Sequence, residues 1–194
     1  MTDSVTKGTG RYILRSLGQA DVLLDGQSVV WPARSAEELL WFLHAFPDGR
    51  YRHDILSQLW GLEDSTAAAN RFRVALHRLR AALDWPDAVT EKGGRYRLNP
   101  ELLAASDTYR LHQALRASRA SETSRKREEL LRQALASADG EYLPHLQGEW
   151  VEQARAHHRA AVVDGYLTLS QMHCAAHECP LGAQALVNAA QQIP

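Results

Sequence analysis

Short apolar runs punctuated by turn residues open the chain, and long stretches of helical periodicity follow. Tyr12-Ile13-Leu14, Asp21-Val22-Leu23-Leu24 and Ser28-Val29-Val30-Trp31 read as short strands. Asp25-Gly26 between the last two signals a hairpin turn, because glycine accepts the positive φ such a turn requires. Ser35 followed by Glu38 gives a capping-box start, and Leu39, Leu40, Leu43 and Phe46 continue at helical spacing up to Pro47-Asp48-Gly49. A second helix is expected from about Arg52 to Trp60, burying Ile55, Leu56, Leu59 and Trp60. A third is expected from Ser65 or Thr66 to about Leu83. Val89 to Leu98 then reads as a hairpin about Gly93-Gly94. With Lys92 facing Arg95, one face holds Val89, Glu91, Tyr96 and Leu98, and the other Thr90, Lys92, Arg95 and Arg97.

Past Asn99-Pro100 the strand signals vanish. Helices are expected at roughly 107–118, 122–138, 148–177 and 180–192. The third carries Val151, Ala154, Ala161, Val162, Leu169 and Ala176 on a stripe of period near 3.6, with Trp150 as a packing anchor. The change of texture sets a boundary around 99–106. The fold class is α+β, with antiparallel strands and helices over 11–100 and an all-α domain over 105–194.

Composition narrows the class. Hydrophobic residues make up 45% and charged residues 23%, as in a globular chain, and no apolar run approaches the ~20 residues of a membrane span. The polar start, MTDSVTKGTG, lacks a signal core, and two cysteines are too few for a disulfide scaffold. The expectation is a cytoplasmic protein.

The net charge of −1 argues against nucleic acid only as an average. Between Asn70 and Arg80 stand Arg71, Arg73, Arg78 and Arg80 with no acid among them. On a helical wheel Phe72, Leu76, Leu79 and Leu83 take one side. The opposite side carries Asn70, Val74, His77, Arg78 and Ala81, flanked by Arg71 and Arg73, while Arg80 lies nearer the packed side. In a major groove arginine pairs bidentately with guanine and asparagine with adenine, and small residues such as Val74 permit close approach.

Arg52 and His53, at the amino end of the preceding helix, are placed for a phosphate. Lys92, Arg95 and, with less weight, Arg97 suit the backbone or minor groove. The competing reading makes these basic residues a solvated helix face and a soluble hairpin edge. Three helices in order, followed by a basic wing, favour a winged helix-turn-helix.

Other chemistry finds little support. His173 and His177 have a zinc-compatible spacing beside Cys174 and Cys179, but Pro180-Leu181-Gly182 reads as the turn of a helical repeat and Cys174 as a small buried thiol. His158 falls on the apolar stripe and reads as a packed histidine. No phosphate loop, nucleophile elbow or carboxylate pair is present, so neither an enzyme nor a cofactor or metal is expected.

The segments LDGQSV, SAEELLWFL, YRHDILSQLW, NRFRVALHRLRAAL and EKGGRYRL occur in the order of the OmpR/PhoB-type effector domain, which the run from Leu14 to Leu98 resembles. EYLPHLQGEWVEQAR resembles the bacterial transcriptional activator domain, a helical domain related to tetratricopeptide repeats. Together they resemble the antibiotic-regulatory-protein (SARP) type of activator. The resemblance implies binding to direct repeats in double-stranded promoter DNA, recruitment of RNA polymerase, and contacts of the helical domain with polymerase or a second copy. Three departures stand out. Arg52 occupies a place where the family often has a capping serine or threonine. The helical domain is shorter than usual, which is expected of a fragment or a shortened member. The few residues before the strands leave no room for a receiver domain, so phosphoryl-relay control within this chain is not expected. The alternative function is a protein-interaction adaptor whose winged domain does not bind DNA.

Overall fold

The computed structural model describes residues 10–193, and the polar start read above lies mostly outside them. The fold is mixed α+β, helix-rich, with two small antiparallel sheets. Contacts divide the chain into two compact units. The first holds residues up to Arg15, Ala20–Ser106 and His145–Glu152; the second holds Ser16–Gln19, Asp107–Pro144 and the chain from Gln153 on.

In the first unit β1 (Tyr12–Arg15), β2 (Asp21–Leu24) and β3 (Gln27–Ser28) form one sheet in that order. Asp25 and Gly26 both have positive φ, the backbone of a tight hairpin turn. The third strand is shorter than the sequence suggests: it stops at Ser28, and Val30 is almost fully exposed. Pro32 lies just beyond and has no N–H for a ladder. Helix α1 (Arg34–Ala45) begins one residue before the expected cap. Ala33 is its N-cap without a side-chain hydrogen bond, and Glu38 pairs with Arg34 at 2.8 Å, so the Ser35 capping box does not form.

A two-residue strand, β4 (Arg50–Tyr51), leads into α2 (Arg52–Trp60) and α3 (Thr66–Ala82). Ser65 caps α3 by accepting a hydrogen bond from the Ala68 N–H. Ile55 and Leu56 of α2 are buried, whereas Leu59 and Trp60 are only half-buried. Strands β5 (Val89–Lys92) and β6 (Arg95–Leu98) pair with Lys92 opposite Arg95, the register read from the sequence. Gly93 and Gly94 both adopt positive φ in the turn. Packed inside are Leu39, Leu40, Trp41, Phe42 and Leu43 of α1, with Phe72, Leu79 and Leu98. Trp150 is buried edge-on against Phe42, 5.4 Å between ring centres. A short helix the sequence did not announce, α4 (Pro100–Ala104), follows, capped by the Asn99 side chain.

The second unit contains α5 (Asp107–Arg119), α6 (Ser124–Leu135), the greater part of α7 (Glu149–Ala175) and α8 (Cys179–Gln191). Leu111, Leu115, Leu131, Leu135, Val162 and Leu169 form its core. The carboxylate of Asp107 accepts hydrogen bonds from the backbone of Ser16, Leu17 and Thr108. The apolar stripe on α7 ends before Ala176, which lies past the helix and is exposed. Cys174 is exposed, not buried, although its sulfur lies against Gly182. A Cβ at Gly182 would sit 2.9 Å from that sulfur and 3.3 Å from the Ser170 carbonyl, so glycine lets α7 and α8 cross closely.

Within this unit the ring nitrogens His112 Nε2 and His158 Nδ1 lie 3.1 Å apart, one donating to the other, and Tyr142 stacks on His158. Burial, reinforced by neighbouring positive charge, pushes the pKa of each histidine down to about 4. In the unfolded chain both would titrate near 6.5. The folded state therefore binds fewer protons, and its stability, complete above pH 6.5, falls as pH drops toward 4. A loss on the order of 3 kcal/mol for the pair is expected between pH 7.5 and 4.5, after discount for coupling and partial exposure. Urea unfolding at the two pH values measures it. His112→Gln/His158→Gln should flatten the dependence, and an equally steep loss in that variant would remove these histidines as its cause.

Candidate nucleic-acid interface

Helix α3 is sorted cleanly by its sequence. Phe72, Leu76, Leu79 and, just past its end, Leu83 are buried, while Asn70, Arg71, Arg73, Val74, His77, Arg78 and Ala81 are exposed. The exposed face contains no acid. Among the described residues Arg73 and Arg78 take part in no ion pair or side-chain hydrogen bond. Arg80 is different: half-buried, it donates to the Val89 carbonyl at 2.7 Å and so ties α3 to the hairpin. Its place near the packed side follows from the wheel.

Arg71 lies over the Trp60 ring, 5.0 Å from its centre. That contact joins the exposed face of α3 to the end of α2 and restricts the guanidinium before any ligand arrives. At the other end of α2 both basic residues have acidic neighbours. Arg52 does not stand free for a phosphate; it pairs with Asp64, 3.1 Å away in the turn before α3. His53 lies 3.3 Å from the Asp54 carboxylate. These acids offset the charge at the amino end of α2, leaving α3 and the hairpin as the stronger positive features.

The hairpin gains a partner that the periodicity did not announce. Strand β4 pairs with β6, placing Tyr51 opposite Arg95 as Lys92 is on the other side. Tyr51, Arg95 and Lys92 thus occupy one rung across three strands. The Arg95 guanidinium lies 4.8 Å from the Tyr51 ring centre, and His53 stacks on Tyr51 at 5.6 Å. Hydrogen bonding to the Tyr51 hydroxyl raises the Arg95 pKa further, keeping it cationic. Lys92 and Arg95 are exposed, whereas Arg97 is half-buried. On the opposite face Tyr96 packs edge-on against Phe72, 4.7 Å between centres, which fixes the hairpin against α3. Tyr51 and Trp60 are the residues missed in the sequence; their only signal there is an aromatic beside a basic run.

His173 is buried with its Nδ1 2.7 Å from the Glu178 carboxylate, and His177 has positive φ in the α7–α8 turn. Among the described residues no helix is long and apolar enough to cross a membrane.

No protein-family model matches the sequence, and no curated protein matches it significantly. Among solved structures the chain is similar to Mycobacterium tuberculosis EmbR in complex with a low-affinity phosphopeptide, with 17% identity and a TM-score of 0.57. The match covers 94% of this chain but 55% of the EmbR chain, so this chain spans little more than half of that protein's length. What the two share is a fold, in which small antiparallel sheets and three helices precede a run of further helices.

Proposed function

We propose that the chain is a sequence-specific DNA-binding transcription regulator of the SARP kind. Residues 11–100 act as a winged helix-turn-helix and residues 105–194 as a helical protein-contact domain. The observation that carries this reading is the exposed, acid-free face of α3, with its leucines packed inside and its arginines outside. A helix so oriented fits the major groove, where Asn70, Arg73, Val74, His77 and Arg78 would meet base edges. Lys92 and Arg95, one rung apart on the hairpin, would meet the flanking backbone or minor groove. Arg71 is the phosphate contact nearest the end of α2, and Arg52, held by Asp64, contributes less.

In this reading the protein activates transcription from direct repeats in promoter DNA, in the cytoplasm, without catalysis of its own. Its helical domain contacts RNA polymerase or a second copy of the chain. Selection of bound fragments from random-sequence DNA tests binding and half-site spacing together. We expect an enriched repeated motif, with an affinity for it that falls steeply as salt rises, since each neutralised phosphate releases counterions.

A second reading has its own support. Leu181, Leu186 and Val187 expose apolar surface on α8, as a protein-interaction adaptor would. If no motif is enriched and genomic DNA is ignored even at low salt, that reading replaces the first.

A further inference from the structure

Residues of α5 and α7 line a recess of about 290 Å³. Its floor is Leu115, buried in the core, and on the α7 side Ala160 and Ala161 are too small to fill it. One end is bounded by His112 and His157, edge to face at 6.0 Å. Toward the other end Arg119 pairs with Asp164 at 2.7 Å. Between them stands Arg116, one turn beyond His112 on α5, with no acidic partner among the described residues. The recess thus sets a guanidinium without an acidic partner among the described residues and two imidazoles around an apolar floor, and Asp164 beside it is already engaged by Arg119.

We propose that this recess binds a small organic oxyanion, a carboxylate or a phosphate ester, with its charged end on Arg116 and the His112 and His157 rings and its apolar body on Leu115 and Ala160. Guanidinium matches either oxyanion through paired N–H donors. The volume is near the lower end of small-molecule sites, which favours a compact ligand.

His112 supplies a consequence. In the tautomer whose Nε2 donates to His158 Nδ1, the His112 Nδ1 is left to take a proton when an anion arrives. Without a ligand, burial and the charges of His157 and Arg116 oppose that proton. Arg119 is neutralised by Asp164, and His158 and Tyr142 stack behind as uncharged groups. A bound anion favours the proton, so it should raise the His112 pKa from about 4, and binding should strengthen as pH falls from 7 toward 5.

Titration of the full chain with inorganic phosphate and, separately, with benzoate, followed through the histidine ring resonances, tests the site. Saturable shifts of His112 and His157 with either probe are expected, and whichever probe binds more tightly names the ligand class. Arg116→Ala, an exposed position, should weaken binding about tenfold or more, as loss of a charged hydrogen-bond pair does. Ala160→Leu should block binding by filling the recess. The proposal is overturned if neither probe shifts these rings, or if both variants bind as the wild type does.

Discussion

Arg73→Ala and Arg78→Ala are each expected to weaken binding to a selected operator by about 1–3 kcal/mol, and to relax base preference at particular positions rather than everywhere. Both guanidinium groups are exposed and lack an intramolecular ion pair among the described residues, so truncation should cost the fold little. Arg95→Ala should act differently. It removes a charge that reads backbone, so affinity should fall for all sequences alike and the slope of log affinity against log salt should flatten by about one. Tyr51→Leu keeps that charge but removes the ring beneath it, 4.8 Å away. It should weaken binding less than Arg95→Ala while leaving the salt slope near the wild-type value, because the loss is of preorganisation. Fluorescence anisotropy on selected and scrambled duplexes, at several salt concentrations, separates these outcomes. Should Arg73→Ala and Arg78→Ala bind both duplexes with unchanged affinity, α3 is not the reading helix and the proposed docking fails.

The asymmetry between Arg73 and Arg52 marks what a single sequence can disclose. Arg73 is positioned by its own helix: once Phe72, Leu76 and Leu79 are assigned to the core, a period of 3.6 fixes which side chains point outward. The hairpin register was readable for a similar reason, because the Gly93-Gly94 turn leaves Lys92 facing Arg95. Arg52 depends on a partner twelve residues on. Its pairing with Asp64 comes from the way the α2–α3 turn folds back, for which periodicity has no term.

Tyr51 belongs to the same class. Its place beside Arg95 arises from a two-residue strand pairing across a separation of more than forty residues. Such a strand is too short for alternation to register. The capping box at Ser35 failed for a local reason: helix α1 starts at Arg34, so Ser35 lies inside the first turn instead of flanking it. The His112–His158 bond joins two helices 46 residues apart, and only the placement of His158 on the apolar stripe hinted at it.

Arg155→Ala is the substitution expected to cost the fold most. On α7 this residue falls among the apolar stripe positions, four after Val151, where a charge is least expected. It is nevertheless buried: Nε donates to the Tyr142 carbonyl at 2.9 Å and a terminal nitrogen donates to the Leu143 carbonyl at 2.6 Å. Glu141, more exposed, balances its charge at 3.3 Å. Leu143 has positive φ, an uncommon state for a branched side chain, so this stretch is held by its contacts more than by preference. Removing the guanidinium strips both carbonyls of that donor in a site too enclosed for water to replace it freely, at about 1–3 kcal/mol each. A total loss of about 3 kcal/mol or more is expected for Arg155→Ala in urea unfolding at neutral pH. Arg155→Lys should recover part of it, since an ammonium can reach one carbonyl but cannot span two in the plane of a guanidinium. Arg155→Met, which restores packing without donors, should remain close to alanine. If methionine instead rescues stability fully, the stripe needs volume at this position and the bridging hydrogen bonds contribute nothing.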